Sequence, residues 1–394
     1  MELKCRPDNC CGCFACLNAC NFNAIEIKKN SDGVLRPTII KEKCKECGMC
    51  NSVCPQIVLD GKTNPPTHAF AAFRKNESDS VGSSSGSIAS SLYSFYFKSG
   101  FKVYGVAIDQ KSLEPTYMCA NRESDLELFR GSKYISPNPK FVYKEIKKAL
   151  CGGDKVLFIG LPCHVAALRC ILHKEYDNLY TVDLVCHGTP PFEYFDKYIR
   201  SKGGNYYSFR NKKGYFMQIY KNNKLIYKKN GSYDPYLSSF LSGLISKESC
   251  YHCKFAKPDR VSDISIGDFH GLSKESALFG LKRNVSLVLI NTAKGKEMFN
   301  CIKDIVFFEE RNVSESISGN AQLNRPSLVD PKRHIFLENY RKTSDFINSL
   351  KQTGLDKSIL KLKIRNFVLY FPRFIKRRIL KRWEKVYLRI IYTI

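Results

Sequence analysis

The sequence has no run of eighteen apolar residues, so no segment reads as a clear membrane-spanning helix. Its opening, MELKCRPDNC, lacks the apolar stretch a secretory signal needs, and export is not expected. GxGxxG is absent, which leaves a Rossmann-type dinucleotide site without its fingerprint. Acidic side chains are few: 37 Asp and Glu face 63 Lys and Arg, for a net charge of +26. Such an excess suits anionic partners, whether nucleic acid, a membrane surface or charged ligands. Cysteine is abundant instead, with 18 in 394 residues. Clustered thiols without an export signal point to metal centres in a reducing cytosol, so a cytoplasmic protein is expected. An apolar fraction of 43% and an aromatic fraction of 12% are those of a globular chain. The length allows a small domain and a larger one with its own core.

Cys10, Cys13, Cys16 and Cys20 form a C-x-x-C-x-x-C-x-x-x-C run, and Cys44, Cys47, Cys50 and Cys54 repeat it 34 residues later. A loop with a thiol every third residue can turn three of them onto one iron-sulfur cube. The fourth thiol starts the next segment and faces the other cube. That rule assigns Cys10, Cys13, Cys16 and Cys54 to one 4Fe-4S cluster, and Cys44, Cys47, Cys50 and Cys20 to a second. Gly12 and Gly48 suit a backbone passing close to sulfide. The pattern resembles the bacterial two-cluster ferredoxin domain, with Asn21 where that family usually has proline. Zinc knuckles normally use two cysteines and a distant second pair, which suits this run less well. Cys5 and Cys11 lie outside the register and read as spare thiols.

Between the two runs, residues 24–27 and 34–37 read as a hairpin turning at Asp32-Gly33. The polar, Pro65-Pro66-containing stretch 60–67 reads as a linker. Beyond it, apolar strands at 68–73, 101–108, 155–159, 180–185, 262–269 and 285–290 alternate with helical spacing at 88–97, 141–150, 165–172 and 295–299. The fold class expected is therefore an α+β ferredoxin-like N-terminal domain, then a larger α/β domain with a mainly parallel or mixed sheet, then a basic helical C-terminal tail. The domain limits expected are 1–64, 65–335 and 336–394. Residues 206–227 read as a basic antiparallel hairpin with a solvated face. Cys163 and Cys186 each follow a strand, at the edge where open α/β sheets bind ligands. Cys250 and Cys253 form a C-x-x-C pair. Gly82 to Ser87, opening a helix, offers amides and hydroxyls to an anion, or is simply a flexible cap.

Taken together, GSSSG (82–86), RGSKY (130–134), GLPCH (160–164), DLVCHG (183–188) and SCYHCKF…SDISIGDF (249–269) resemble the beta subunit of coenzyme F-420 hydrogenases and dehydrogenases. The resemblance covers roughly residues 68–330 and implies FAD, with Ser84, Ser85, Gly86 and Ser87 facing its phosphates and Ser132, Lys133 and Tyr134 near the flavin. It also implies a third 4Fe-4S cluster on Cys163, Cys186, Cys250 and Cys253; by ligand type alone a structural zinc fits the same four. His164 and His187 adjoin those thiols, and His164 stands where many relatives carry glutamine. No catalytic acid or base is assigned. Cys119, Cys151, Cys170 and Cys301 read as ordinary buried thiols.

The function so implied is an iron-sulfur flavoprotein oxidoreductase that exchanges electrons with a redox protein or partner subunit. Relatives of this form occur among polysaccharide-synthesis genes, which implies a sugar-linked substrate; a non-catalytic electron-transfer subunit is the other reading. Residues 351–394 hold thirteen Lys and Arg against Asp356 and Glu384, net +11, with apolar residues at helical spacing and a kink expected at Pro372. Such a tail suits the anionic inner face of a membrane, or a docked helix with a cationic outer face. It has no nucleic-acid reading motif, and nucleic acid is not expected.

Overall fold

The computed structural model describes residues 2–58, 63–76, 82–211, 214–281 and 284–370. The tail from Phe371 onward, including the kink expected at Pro372, lies outside the described residues, as do Asp60 to Lys62 of the linker stretch.

The hairpin appears as β1 (Ile25–Lys29) and β2 (Leu35–Ile39), paired antiparallel from Ile25↔Ile39 to Lys29↔Leu35. The large sheet is built from β3 (His68–Arg74), β4 (Lys102–Ile108), β5 (Pro115–Cys119), β6 (Val156–Gly160), β7 (Leu179–Leu184), β11 (Ile264–Asp268), β12 (Ser286–Ile290) and β13 (Val306–Arg311). A separate antiparallel sheet holds β8 (Tyr206–Asn211), β9 (Gly214–Lys221) and β10 (Lys224–Asn230).

The large sheet is mixed, with strand order β13-β3-β12-β11-β7-β6-β4-β5. Its centre, β11-β7-β6-β4, is parallel, and antiparallel strands flank it on both sides. Val156 to Gly160 and Ser286 to Ile290 are buried throughout, the pattern of strands covered on both faces. The Ile88–Lys98 and Ala293–Asn300 helices and the Val142–Cys151 and Pro162–Leu172 helices supply that cover. The last begins with a proline in its first turn, where no backbone donor is lost, and nearly all its side chains are buried. Each fully buried Leu, Phe or Val contributes about 1.5–3 kcal/mol relative to exposure.

The three-stranded sheet differs from expectation. Tyr207, Phe209, Met217 and Ile219 are buried, packed with Tyr194, Phe195 and Tyr198 of the Phe192–Ser201 helix. Alternation along each strand sends those rings inward and leaves the lysines outside. The same core takes Phe336 and Tyr340 of the Arg333–Thr343 helix, and Phe346 and Leu350 of the Phe346–Gln352 helix.

The cysteine-rich N-terminal segment packs directly on the larger part. Cys11, Cys13, Ala15 and Val53 share one core with Val142, Phe158 and Val165. Asn18 Nδ2 donates to the Lys140 carbonyl at 2.8 Å, and the backbones of Asn64 and Arg260 form a β-bridge. Of the four thiols without a role, only Cys170 is buried; Cys119 is half-buried, and Cys151 and Cys301 are exposed at or just past helix C-termini. No helix among the described residues is long and apolar enough to cross a membrane.

Candidate redox site

The 34-residue repeat is visible in the backbone. Left-handed residues stand at Gly12 (φ 70°) and Phe14 (φ 55°) in the first loop, and at Glu46 (φ 53°) and Gly48 (φ 79°) in the second. Short helices then follow at Ala15–Ala19 and Met49–Ser52, again in register. This turn aims amides inward. The Glu46 amide donates to Cys44 Sγ at 3.4 Å, and the Gly12 amide does the same for Cys10. Amides of Ala15, Leu17, Asn51 and Gln56 serve Cys13, Cys16, Cys50 and Cys54, while Ala24 donates to Cys20 Sγ at 3.3 Å. Thiolates ringed by backbone donors are the chemistry an iron-sulfur cube requires of its loop.

Cys10, Cys16 and Cys54 lie together: burial pushes the Cys16 thiol up, and Cys10 and Cys54 add to it. Cys50 neighbours Cys44 and Cys47. The two thiols read as spare are not remote. Cys5 donates to Cys10 and Cys54, and buried Cys11 receives from both Cys13 and Cys163. Cys11 thus stands where the N-terminal segment meets the larger part. Only the i+1 position beside Cys10 could have hinted at this in the sequence.

In the larger part, Cys163 opens the Pro162–Leu172 helix, Cys186 follows β7, and Cys250 lies in the Glu248–Tyr251 helix three residues before Cys253. Burial, then Cys250 and Cys253, push the Cys186 thiol up to about 12. Burial and Cys250 push Cys253 up to about 11, and Cys163 neighbours Cys253. The Gly188 amide donates to Cys186, and those of Phe255 and Ala256 donate to Cys253. Four separated thiols therefore share one buried neighbourhood. Among the described residues no three His, Cys, Asp or Glu side chains close around a single ion. The grouping rests on mutual proximity and amide donors.

A cleft of about 240 Å³ opens at the C-terminal edge of the parallel strands, with Gly160, Leu184, Cys186, Ile266 and Gly267 in its wall. Ser84, Ser85, Ser87, Ser132, Lys133 and Tyr134 all line it; Gly86 lies behind, packed on the strands. A Cβ on Gly86 would sit 2.3 Å from the Ala72 carbonyl oxygen, so only glycine lets the loop approach so closely.

The polar residues of the cleft are not equally free. Ser84 Oγ accepts from the amide and hydroxyl of Ser132, both at 2.8 Å, and Ser85 Oγ donates to the Val285 carbonyl at 3.0 Å. Lys133 Nζ donates to the carbonyls of Leu128, Phe129 and Arg130, so it fastens its own loop. Its burial pulls the ammonium down to about 7; those three acceptors oppose that pull. Ser87 Oγ, on a residue 2% exposed, has no partner. It caps the Ile88–Lys98 helix, whose free amides favour an anion.

Arg210, from the β8 strand, reaches the same cleft. It pairs with Asp268 at 2.5 Å and 3.2 Å and lies over the Tyr215 ring at 4.3 Å. Burial raises the Asp268 carboxyl, but the Arg210 guanidinium outweighs it and holds the group below the usual range. The pair was not legible as a site: Arg210 reads as one basic residue on a hairpin. His164 is fully buried with Nδ1 3.0 Å from Tyr117 Oη, and burial lowers it to about 3. His187 lines the cleft, lowered to about 4 by burial and then by His270.

Paired cysteine loops and a third thiol group beside a sheet-edge cleft define the class: an iron-sulfur electron-transfer protein. Residues 9–58 match the 4Fe-4S dicluster domain, and residues 153–316 match the family described as the C terminus of the coenzyme F420 hydrogenase/dehydrogenase beta subunit. The chain belongs to that family of beta subunits and carries the dicluster domain ahead of it. It is 26% identical over 189 residues to one subunit, designated F, of the F420H2 dehydrogenase of Methanosarcina mazei, covering 45% of this chain and 53% of the relative. It is 24% identical over 200 residues to an uncharacterized protein of Methanocaldococcus jannaschii, covering 44% and 55%. The chain thus spans about half the length of these curated relatives. A chain of the F420-reducing NiFe hydrogenase complex from Methanosarcina barkeri superposes with a TM-score of 0.44 at 18% identity, over 75% of this chain and 92% of that one.

Proposed function

We propose that the protein is an iron-sulfur flavoprotein oxidoreductase, passing electrons between a ferredoxin-type carrier and a substrate bound at the sheet-edge cleft. Bound cubes would supply one-electron transfer, and FAD would couple it to two-electron chemistry. One observation carries the reading: Cys186 belongs to the thiol group of the larger part and also to the wall of the cleft. Cys10, Cys13, Cys16 and Cys54 would hold the inner cluster of the N-terminal segment, and Cys20, Cys44, Cys47 and Cys50 the outer one. Cys163, Cys186, Cys250 and Cys253 would hold a third. Ser87 and the amides beginning its helix fit a cofactor phosphate. Tyr134, stacked on Phe240 at 5.2 Å, gives the cleft a flat aromatic wall suited to a planar ring.

Anaerobic purification with iron, sulfide, zinc and flavin analysis tests this. The expected content is about twelve iron atoms per chain and one FAD. About eight iron atoms with zinc would assign the third group to zinc, and iron-free protein would refute the reading. The M. mazei relative is named as part of a dehydrogenase, which favours a second reading: a subunit that only relays electrons to a separate enzyme. Turnover of coenzyme F420 by the flavin-loaded chain alone, with an artificial electron acceptor, rejects that second reading.

A further inference from the structure

Lys247 stands out because a buried ammonium is costly without an anion to offset it. The residue is 4% exposed. It comes from the larger part, just ahead of the Glu248–Tyr251 helix, and its backbone carbonyl accepts from the Cys250 amide at 2.9 Å. Its side chain crosses to the N-terminal segment, where Nζ donates to the Cys11 carbonyl at 2.6 Å; it also donates to Ser136 Oγ at 2.8 Å. Nζ lies 3.5 Å from where a Cβ on Gly12 would be, so the left-handed glycine of the first loop leaves room for it. Among the described residues the ammonium has no carboxylate partner. The groups around it are thiols: Cys11, Cys163 and Cys186 all feel its charge.

We propose that Lys247 is a positioning residue that sets the reduction potentials of the two iron-sulfur centres meeting at this junction, the inner one of the N-terminal segment and the one of the larger part. This rests on the function proposed above. A cube held by four thiolates is an anion and gains further negative charge on reduction. A fixed cation beside it therefore favours the reduced form, more strongly where water is excluded. The same anions account for how a lysine without a carboxylate is tolerated here. Gly12 and Cys11 occur only in the first loop; the second has Glu46 and Lys45 in their places, and there Lys247 has no counterpart contact. The charge thus acts on two of three centres and leaves the outer one nearly unaffected.

The test is an EPR-monitored redox titration of anaerobically purified full-length protein, as wild type, Lys247→Met, Lys247→Gln and Lys247→Arg, with iron counted in each. In the Met and Gln variants, the reduced-to-oxidised ratio of two centres at the wild-type midpoint should fall about tenfold, which is 59 mV for a one-electron couple. The third centre should move by less than half of that, and Lys247→Arg should stay near wild type. Two neutral variants guard against one failing to fold. Full iron with unmoved midpoints, or equal movement of all three centres, overturns the role of Lys247 and leaves the proposed function standing. Iron-free wild type overturns the proposed function first, and this inference with it.

Discussion

Replacing Arg260 by methionine should cost the fold about 3–5 kcal/mol, because it strands a buried carboxylate. Arg260 is 2% exposed and Asp183 is fully buried. The guanidinium donates to Asp183 Oδ1 at 2.7 Å, to Ser265 Oγ at 3.0 Å, and to the carbonyls of Phe255 at 3.0 Å and Lys257 at 3.2 Å. One side chain therefore ties β7, which leads into Cys186, to the loop that follows Cys253. Methionine fills most of the volume, so the loss is mainly the charge and its hydrogen bonds, not a cavity. Urea unfolding at neutral pH, followed by far-UV circular dichroism, reads the loss. The double variant Arg260→Met with Asp183→Asn should recover much of it, since neither charge remains. A single-variant loss under about 1 kcal/mol, or a double variant no better than the single, would refute this account of the pair.

Asp268 gives a pH signature. Its folded value lies below the unfolded one, near 3.9, so the stability it adds is whole above that pH and is lost as pH falls through the folded value. Asp268→Asn should therefore be less stable than wild type at pH 7, with the two converging near pH 2; a constant gap across urea titrations would contradict this. Gly86→Ala should lower the melting temperature through a clash with the β3 backbone, costing about 1–3 kcal/mol; an unchanged melting curve would contradict it. Cys163→Ser should lose about four iron atoms per chain while Cys11→Ser keeps the wild-type count, and the reverse result would exchange their roles.

Local spacing made much of this molecule readable. The strands around Val156, Tyr180 and Val288 and the hairpin at Gly33 fall within a residue or two of the apolar pattern, because burial on both faces leaves little choice of residue. β5 and β13 have mixed burial at the sheet margins, which weakens their signal, and they were not expected. The basic hairpin concealed its buried rings, since lysines dominate its composition while Phe209 and Met217 sit on the other face. The cysteine groups were legible from register alone. Lys247, Arg210 and the neighbourhood of Cys11 were not, because each depends on a contact between segments far apart in the chain. No local period records such a meeting.

The apolar side chains shared by the first sixty residues and the helix after Cys163 bear on how current enters the molecule. A segment anchored by Ala15, Val53 and a buried lysine is not a swinging arm that ferries charge between stations. It behaves as a fixed plug. Any carrier must come to it, and the exposed Cys47, with Met49 beside it, is the terminal it would have to touch.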